Sequence, residues 1–190
     1  MNTKFLGKTL VASALVLTTL GTGLHSSYLG LDTNKVIKTA KAEENMTTGQ
    51  LWKKVKDSLI DSNIILGNEH ETIDVNYLQK SGSSSKVSAP GNSNEDFLSH
   101  KADFERLTTV DIDKKNIPPA NFNDQVDANT TWNTLSKQLK SKGLVKDGDT
   151  LTIHTSENNI PKITSKVGDN YQDHKGLMLN KRDINKITIE

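Results

Sequence analysis

Cysteine is absent from the 190 residues, which excludes a disulfide scaffold, a thiol nucleophile, a thiolate metal site and a lipid-modified cysteine anchor. Aromatic residues make up only 5% of the chain and hydrophobic residues 33%. Part of that apolar content is concentrated in one N-terminal run, so the remainder can build only a thin core. No second long apolar run follows, and neither charge is in marked excess, with a formal net charge of +1. This length accommodates one domain or two very small ones, and a large enzyme with deeply buried machinery is not expected.

What is present begins with an address. Lys4 and Lys8 precede an apolar stretch from Leu10 to Leu20 that only Ser13, Thr18 and Thr19 interrupt. That is the layout of a secretory signal, and it is too short for a bilayer core, which needs roughly 20 apolar residues. Ala40 and Ala42 supply the small residues that signal peptidase accepts, just before Glu43 and Glu44, so residues 1–42 are expected to be a signal peptide cleaved after Ala42. A signal of that length suggests a Gram-positive exporter. Its removal takes away five lysines and one aspartate and leaves 19 basic and 22 acidic residues, about −3 net. Nucleic-acid binding thereby loses its electrostatic warrant, since phosphate contacts need a clustered positive excess. With no wall-sorting pattern at its end, the mature chain is expected to be extracellular, soluble, monomeric and free of the membrane.

The mature chain reads as one pattern written twice. Thr47 and Thr48 can cap a helix whose apolar residues Leu51, Trp52, Val55 and Leu59 form one stripe against Lys53, Lys54 and Lys56. Eighty-four residues on, Thr130 and Thr131 precede Trp132, Leu135 and Leu139, with Lys137 matching Lys53 and Lys140 matching Lys56. Alternating strands follow each helix, Glu71 to Val75 and then Asp149 to Ile153. Each copy closes alike, Lys101 to Thr108 paralleling Lys181 to Thr188. The offsets of 84, 78 and 80 residues place insertions in polar stretches such as Leu66 to Asn68 and Ser81 to Ser85, where loops tolerate them. Ile160 to Val167 can pair as a hairpin with the strand before it, and Lys86 to Ala89 is its weaker counterpart.

The expected fold class is therefore α+β, with two small tandem units, each a helix packed on a mostly antiparallel sheet. Unit 1 spans residues 43–113, a linker containing Pro118 and Pro119 spans 114–129, and unit 2 spans 130–190. Chance recurrence of helix and strand patterning within a single domain is the competing reading.

The closing run Asp183, Ile184, Asn185, Lys186, Ile187, Thr188, Ile189 resembles the last strand of the staphylococcal superantigen and superantigen-like toxins, and of the extracellular adherence protein repeats. The preceding order, a helix with Leu135 and Leu139, a strand from Leu151 to His154 and then a hairpin, is similar to the C-terminal half of those toxins. Val36 to Ala42 is also similar to their signals. The resemblance covers about 60 residues per copy and implies β-grasp modules and a part in immune evasion or adhesion. It departs from the family in two respects: a β-grasp module has strands ahead of its helix, whereas the first copy begins almost at the mature N-terminus, and the toxins' N-terminal barrel is absent. No family binding motif is matched, so no ligand-binding residue carries over.

The chemistry search is largely negative. His70, His100, His154 and His174 lack the two-on-one-helix spacing of a zinc protease and read as surface or strand histidines. Gly91 to Asn94 lacks the closing glycine of a nucleophile elbow. Asp147, Gly148 and Asp149 read as a turn before a strand sooner than as a fragment of a calcium loop. Paired carboxylates, Asp111 with Asp113 or Glu95 with Asp96, have the chemistry of glycosidase acid and base but are commoner as solvated turn residues. Trp52 and Trp132 suit core packing better than a binding hot spot.

No catalytic residue, metal or cofactor is assigned. The candidate partner-binding residues are Lys53, Lys54 and Lys56 on the first helix and Ser85, Lys86 and Asn92 in the polar insert Ser81 to Asn94, read as a recognition loop or a mobile one. Two functions fit. One is a secreted non-enzymatic protein that binds a host extracellular or neutrophil protein, one version being inhibition of a host defence enzyme. The alternative is a small secreted hydrolase or cell-wall-associated accessory factor.

Overall fold

The computed structural model describes residues 46–94 and 98–190. The expected signal peptide, residues 1–42 with cleavage after Ala42, and the pair Glu95 and Asp96 lie outside the described residues. The observed fold is α+β, with two helices packed on a mostly antiparallel sheet system.

Helix α1 (Thr48–Asp61) starts at a reciprocal capping box in which Thr47 Oγ1 accepts from the Gln50 amide and the Gln50 side chain accepts from the Thr47 amide. Its stripe of Leu51, Trp52, Val55 and Leu59 is buried. After it come β1 (Glu71–Gln79), β2 (Ser84–Pro90) and β3 (Phe104–Lys114), then β4 (Gln125–Asp127), α2 (Ala128–Ser141), β5 (Thr150–Thr155), β6 (Ile163–Lys166), β7 (Met178–Asn180) and β8 (Ile184–Ile189). Six strands form one sheet in the order β2-β1-β3-β8-β5-β6, and β4 pairs with β7 in a separate ribbon. All these pairings are antiparallel.

The repeat is visible as two halves of this one sheet, α1-β1-β2-β3 and α2-β5-β6-β8. The Trp52 indole N–H donates to the Ile73 carbonyl at 3.0 Å, and the Trp132 indole N–H donates to the Leu151 carbonyl at 2.9 Å. Even the irregularity recurs, between Asn76 and Tyr77 in β1 and between His154 and Thr155 in β5. Val110 and Ile187 hold matching places in β3 and β8, opposite Val75 and Ile153, and they pair with each other. A pseudo-twofold axis therefore runs through that pair.

These hydrogen bonds correct the alignment of the copies. Trp132 lies 80 positions after Trp52, not 84, so the sequence register was displaced by about one helical turn, a slip that keeps an apolar stripe in phase. Lys137 and Lys140 then no longer match Lys53 and Lys56. Ile184 corresponds to Leu107, not to Phe104, because each faces the residue after the bulge. The cap of α2 is Asp127, whose carboxylate accepts from the Thr130 amide at 2.8 Å, and Thr131 is buried.

Two further boundaries differ from the sequence reading. Ser81 to Asn94 is not one loop, since β2 occupies its middle: Lys86 to Ala89, expected as the weaker hairpin strand, does pair with β1, and the strand extends beyond it to Ser84 and Pro90. Lys114 ends β3, while residues 125–129 belong to β4 and the start of α2. The stretch between is short and carries a 3₁₀ turn at Pro119–Asn121. Ahead of α2 stands the strand β4, and ahead of α1 a single bridge, Thr47 to Lys101. Buried residues of both halves belong to one hydrophobic core, and the described residues form one compact unit.

Candidate functional site

Both helices lie on the same side of the sheet. In β1 the residues Glu71, Ile73, Val75 and Tyr77 are buried beneath them, and Thr72, Asp74 and Asn76 alternate onto the other face. On that face Thr72, Asp74 and Asn76 of β1 and Thr109 and Asp111 of β3 are half-exposed, and Thr152 of β5 is buried among its neighbours. Strand register orders its side chains into rows that cross the whole sheet. One row runs Thr164, Thr152, Thr188, Thr109, Asn76, Lys86 from β6 to β2. The next runs His154, Lys186, Asp111, Asp74, Ser88 from β5 to β2, with Lys162 standing just before β6 at its outer end.

Within these rows the polar groups bond to one another. Lys86 Nζ lies 2.6 Å from Asp74, Asn76 Nδ2 donates to Asp111 at 3.1 Å, and Lys186 Nζ lies 3.2 Å from the other Asp111 oxygen. His154 Nε2 is 3.0 Å from Thr188 Oγ1, and the hydroxyls of Thr152 and Thr164 are 2.7 Å apart. Burial pushes the Asp74 carboxyl up, but bonding to Lys86 and Ser88 outweighs it and holds the group below its ordinary value. Burial first, then the charges of Lys186 and Lys162, push the His154 imidazole below its ordinary value, against an opposing pull from Glu190. The face is broad and polar, and its groups are held in fixed positions by each other.

The six residues singled out from sequence are distributed over separate surfaces. Lys86 is on the open face, whereas Ser85 is half-buried on the helix side of the same strand. Asn92 is exposed in the turn after β2. Lys56 reaches that region, since its Nζ donates to the Ser93 carbonyl at 2.8 Å while lying 5.0 Å from the Trp52 ring centre. Lys53 pairs with Asp57 at 2.5 Å, and Lys54 is half-exposed on the outer surface of α1. Trp52 and Trp132 are fully buried, as the core reading expects. Asp147 pairs with Lys140 at 2.6 Å and Asp149 accepts from the Lys146 amide at 2.9 Å, so this segment is a turn into β5. Among the described residues no three His, Asp or Glu side chains converge as a metal site.

The residues of the open face that the sequence reading missed are Asp74, Asn76, Thr109, Thr152, Thr164, Thr188 and Lys186. Their signal was the polar phase of each alternating strand. What sequence does not carry is the strand order that sets these phases side by side.

A second cluster lies at one end of the sheet. The buried Glu71 carboxylate accepts from the amides of Leu66, Gly67 and Asn68 at 2.6 to 3.3 Å, so the stretch expected to be a tolerant insertion is an ordered anion nest. Beside it Lys114 Nζ donates to the carbonyls of Ile64 and Lys181. Ile64, Leu66, Ile117 and Pro118 help to line the adjoining cleft, which holds only about 30 Å³. Burial pushes the Lys114 ammonium down to about 8, despite the attraction of Glu71. Between about pH 8 and the ordinary lysine value near 10.4 the unfolded chain therefore holds a proton that the folded chain has released, and stability rises with pH across that window. We expect urea midpoints of the wild-type chain to climb from pH 8 to pH 10 relative to those of Lys114→Met. Parallel curves would show that the amine is solvated.

Among the described residues no helix is long and apolar enough to cross a membrane. No curated protein matches the chain. A family model described as "Domain of unknown function (DUF4888)" matches residues 47–189, from the cap of α1 to the last residue of β8. Since that match takes in both helices, all eight strands and the whole of the open face, the chain belongs to the DUF4888 family.

Proposed function

We propose that this is a secreted, non-enzymatic binding protein that engages a host extracellular or neutrophil protein, in immune evasion or adhesion, with occlusion of a host defence enzyme as one form of that action. The observation that supports the reading is the uncovered sheet face. Six strands span five inter-strand spacings, about 24 Å, which is the scale of a standard interface of about 800 Å² per partner. The polar groups on it are tied to one another and not aimed into a desolvated cavity, the setting in which acid and base groups are usually tuned for catalysis. The signal-like N-terminus and the resemblance to toxin and adherence modules point the same way.

The test immobilises the chain and passes plasma or neutrophil extract over it, beside a variant carrying Thr109→Arg and Thr188→Arg at the centre of the face. The expected result is a defined protein retained by the wild type and lost from the variant, with the thermal midpoint of the variant little changed. Equal retention by both would move the site elsewhere. A substrate turned over by the wild type and not by His154→Ala or Asp111→Ala, with binding and stability intact, would replace this reading with the hydrolase.

A further inference from the structure

The internal duplication supplies a comparison between two surfaces of common design. By the register of the halves, Asp74 corresponds to Thr152, Asp111 to Thr188, Asn76 to His154 and Thr109 to Lys186. Lys86, opposite Asn76, corresponds to Lys162, which stands one step beyond the pair Ile153 and Ile163. The first half thus carries two carboxylates, and they neutralise Lys86 and Lys186. In the second half both places are threonine. Among the described residues Lys162 and Lys166 make no ion pair, and His154 stands between Lys162 and Lys186. The outer edge of the β6 half thus carries two lysines that make no ion pair among the described residues, with Glu190 the carboxylate that acts on His154, whereas at the outer edge of the β2 half Lys86 is paired with Asp74.

That edge also has open backbone positions. In β5, Thr150 exchanges backbone bonds with Glu190, so its even-numbered residues turn toward β8 and its odd-numbered ones toward β6. On β6 it follows that Ile163 and Ser165 bond inward, while Thr164 and Lys166 direct their amide groups outward. The Lys166 carbonyl is taken by the Asp169 amide at 3.1 Å. The Thr164 N–H and C=O and the Lys166 N–H remain for an incoming strand. Their side chains, with that of Lys162, lie on the open face. A strand laid along β6 would therefore set every second side chain opposite Lys162, Thr164 and Lys166.

We propose that β6 is the docking edge for an extended acidic segment of a partner protein, which adds as a seventh strand and places carboxylates four residues apart against Lys162 and Lys166. This rests on the reading of the sheet as a binding surface. The backbone groups favour a polypeptide over a sulfated polysaccharide, which has no regular row of amides to pair with them. At the opposite edge Lys86 is already matched by Asp74, so an acidic strand gains less there.

The test titrates the full ¹⁵N-labelled chain with a short extended peptide containing Glu-Val-Thr-Val-Glu, beside the same peptide with lysine for glutamate and a heparin oligosaccharide. The acidic peptide is expected to slow hydrogen exchange at the amides of Thr164 and Lys166 and to raise the titration midpoint of His154, whose charged neighbours are Lys186, Lys162 and Glu190, with Asp111 behind Lys186. Lys162→Glu, or Thr152→Asp with Thr188→Asp, should weaken binding by about tenfold or more, and Lys86→Glu by less than about twofold. Absence of binding, protection at Ser84, Lys86 and Ser88 instead, or heparin binding without protection at β6 would each overturn the proposal. If the peptide fails while the face variant still loses its partner from plasma or neutrophil extract, strand addition at β6 is wrong and the open-face reading stands.

Discussion

Replacing Trp52 or Trp132 by alanine should destabilise the protein by about 3–5 kcal/mol each, a large share of the roughly 5–15 kcal/mol that holds a domain of this kind together. Both rings are fully buried at the centre of their helix stripes. Removal leaves a void of indole size, and it also strands a strand carbonyl, that of Ile73 or of Leu151, in the core without its donor. Phenylalanine would refill most of the volume but not the bond, so Trp52→Phe and Trp132→Phe should cost about 1–3 kcal/mol. Because both indoles make the same bond to the sheet, the paired variants should lose comparable amounts, although Trp52 lies under Lys56 whereas Trp132 packs on Tyr171. Urea unfolding followed by far-ultraviolet circular dichroism measures these values. A loss below about 1 kcal/mol for either alanine variant would show that the ring is not an anchor of the core.

The second large effect concerns the seam between the halves. Residues 46–117 produced alone are expected not to fold, although they contain a complete helix and three strands. In the intact chain β3 is an interior strand, paired with β1 on one side and with β8 through Thr109, Val110 and Asp111 on the other. Without β8 that stretch becomes a bare edge, Val110 loses its facing Ile187, and α1 loses α2 beside it. A chain of about 70 residues has little core to absorb such a loss. The expected observation is poor dispersion in an amide correlation spectrum of the fragment, against one cooperative transition for the whole chain. The point variant Ile187→Asp tests the same seam in the full chain. A carboxylate buried opposite Val110 should cost more than about 4 kcal/mol, and a well-dispersed half or a tolerant Ile187→Asp would refute the shared-core account.

How much of this was legible beforehand depends on the range of the interaction that decides each element. The α1 stripe, its Thr47 cap and the alternation of β1, β5 and β8 are set by neighbours within a few residues, and these were readable. So was the duplication itself, because both tryptophans and both strand patterns survive in it. Its register was not, since an apolar stripe shifted by four residues still presents an apolar stripe, and only the bonds from Trp52 to Ile73 and from Trp132 to Leu151 fix the alignment. Of β2 only Lys86 to Ala89 was legible, because Ser84 and Ser85 carry no hydrophobic signal and are held extended by β1. The α2 cap was misplaced because Thr130 and Thr131 look like caps, whereas the chain turns three residues earlier, where Asp127 already sits in β4.

The candidate surface divides in the same way. Sequence alone determined that the strands would each have an apolar and a polar side, because alternation is a property of the extended backbone. It also determined that the chain contains two related α+β segments. Only the tertiary structure decided that β3 and β8 join those segments into one sheet, that both helices cover the same side, and that the polar phases of six strands therefore meet on a single open face. These are choices among pairings of residues far apart in the chain, and the hydrogen bonds that settle them, being backbone to backbone, leave no mark on residue identity. Lys162, His154 and Lys186 become one basic row through that pairing alone.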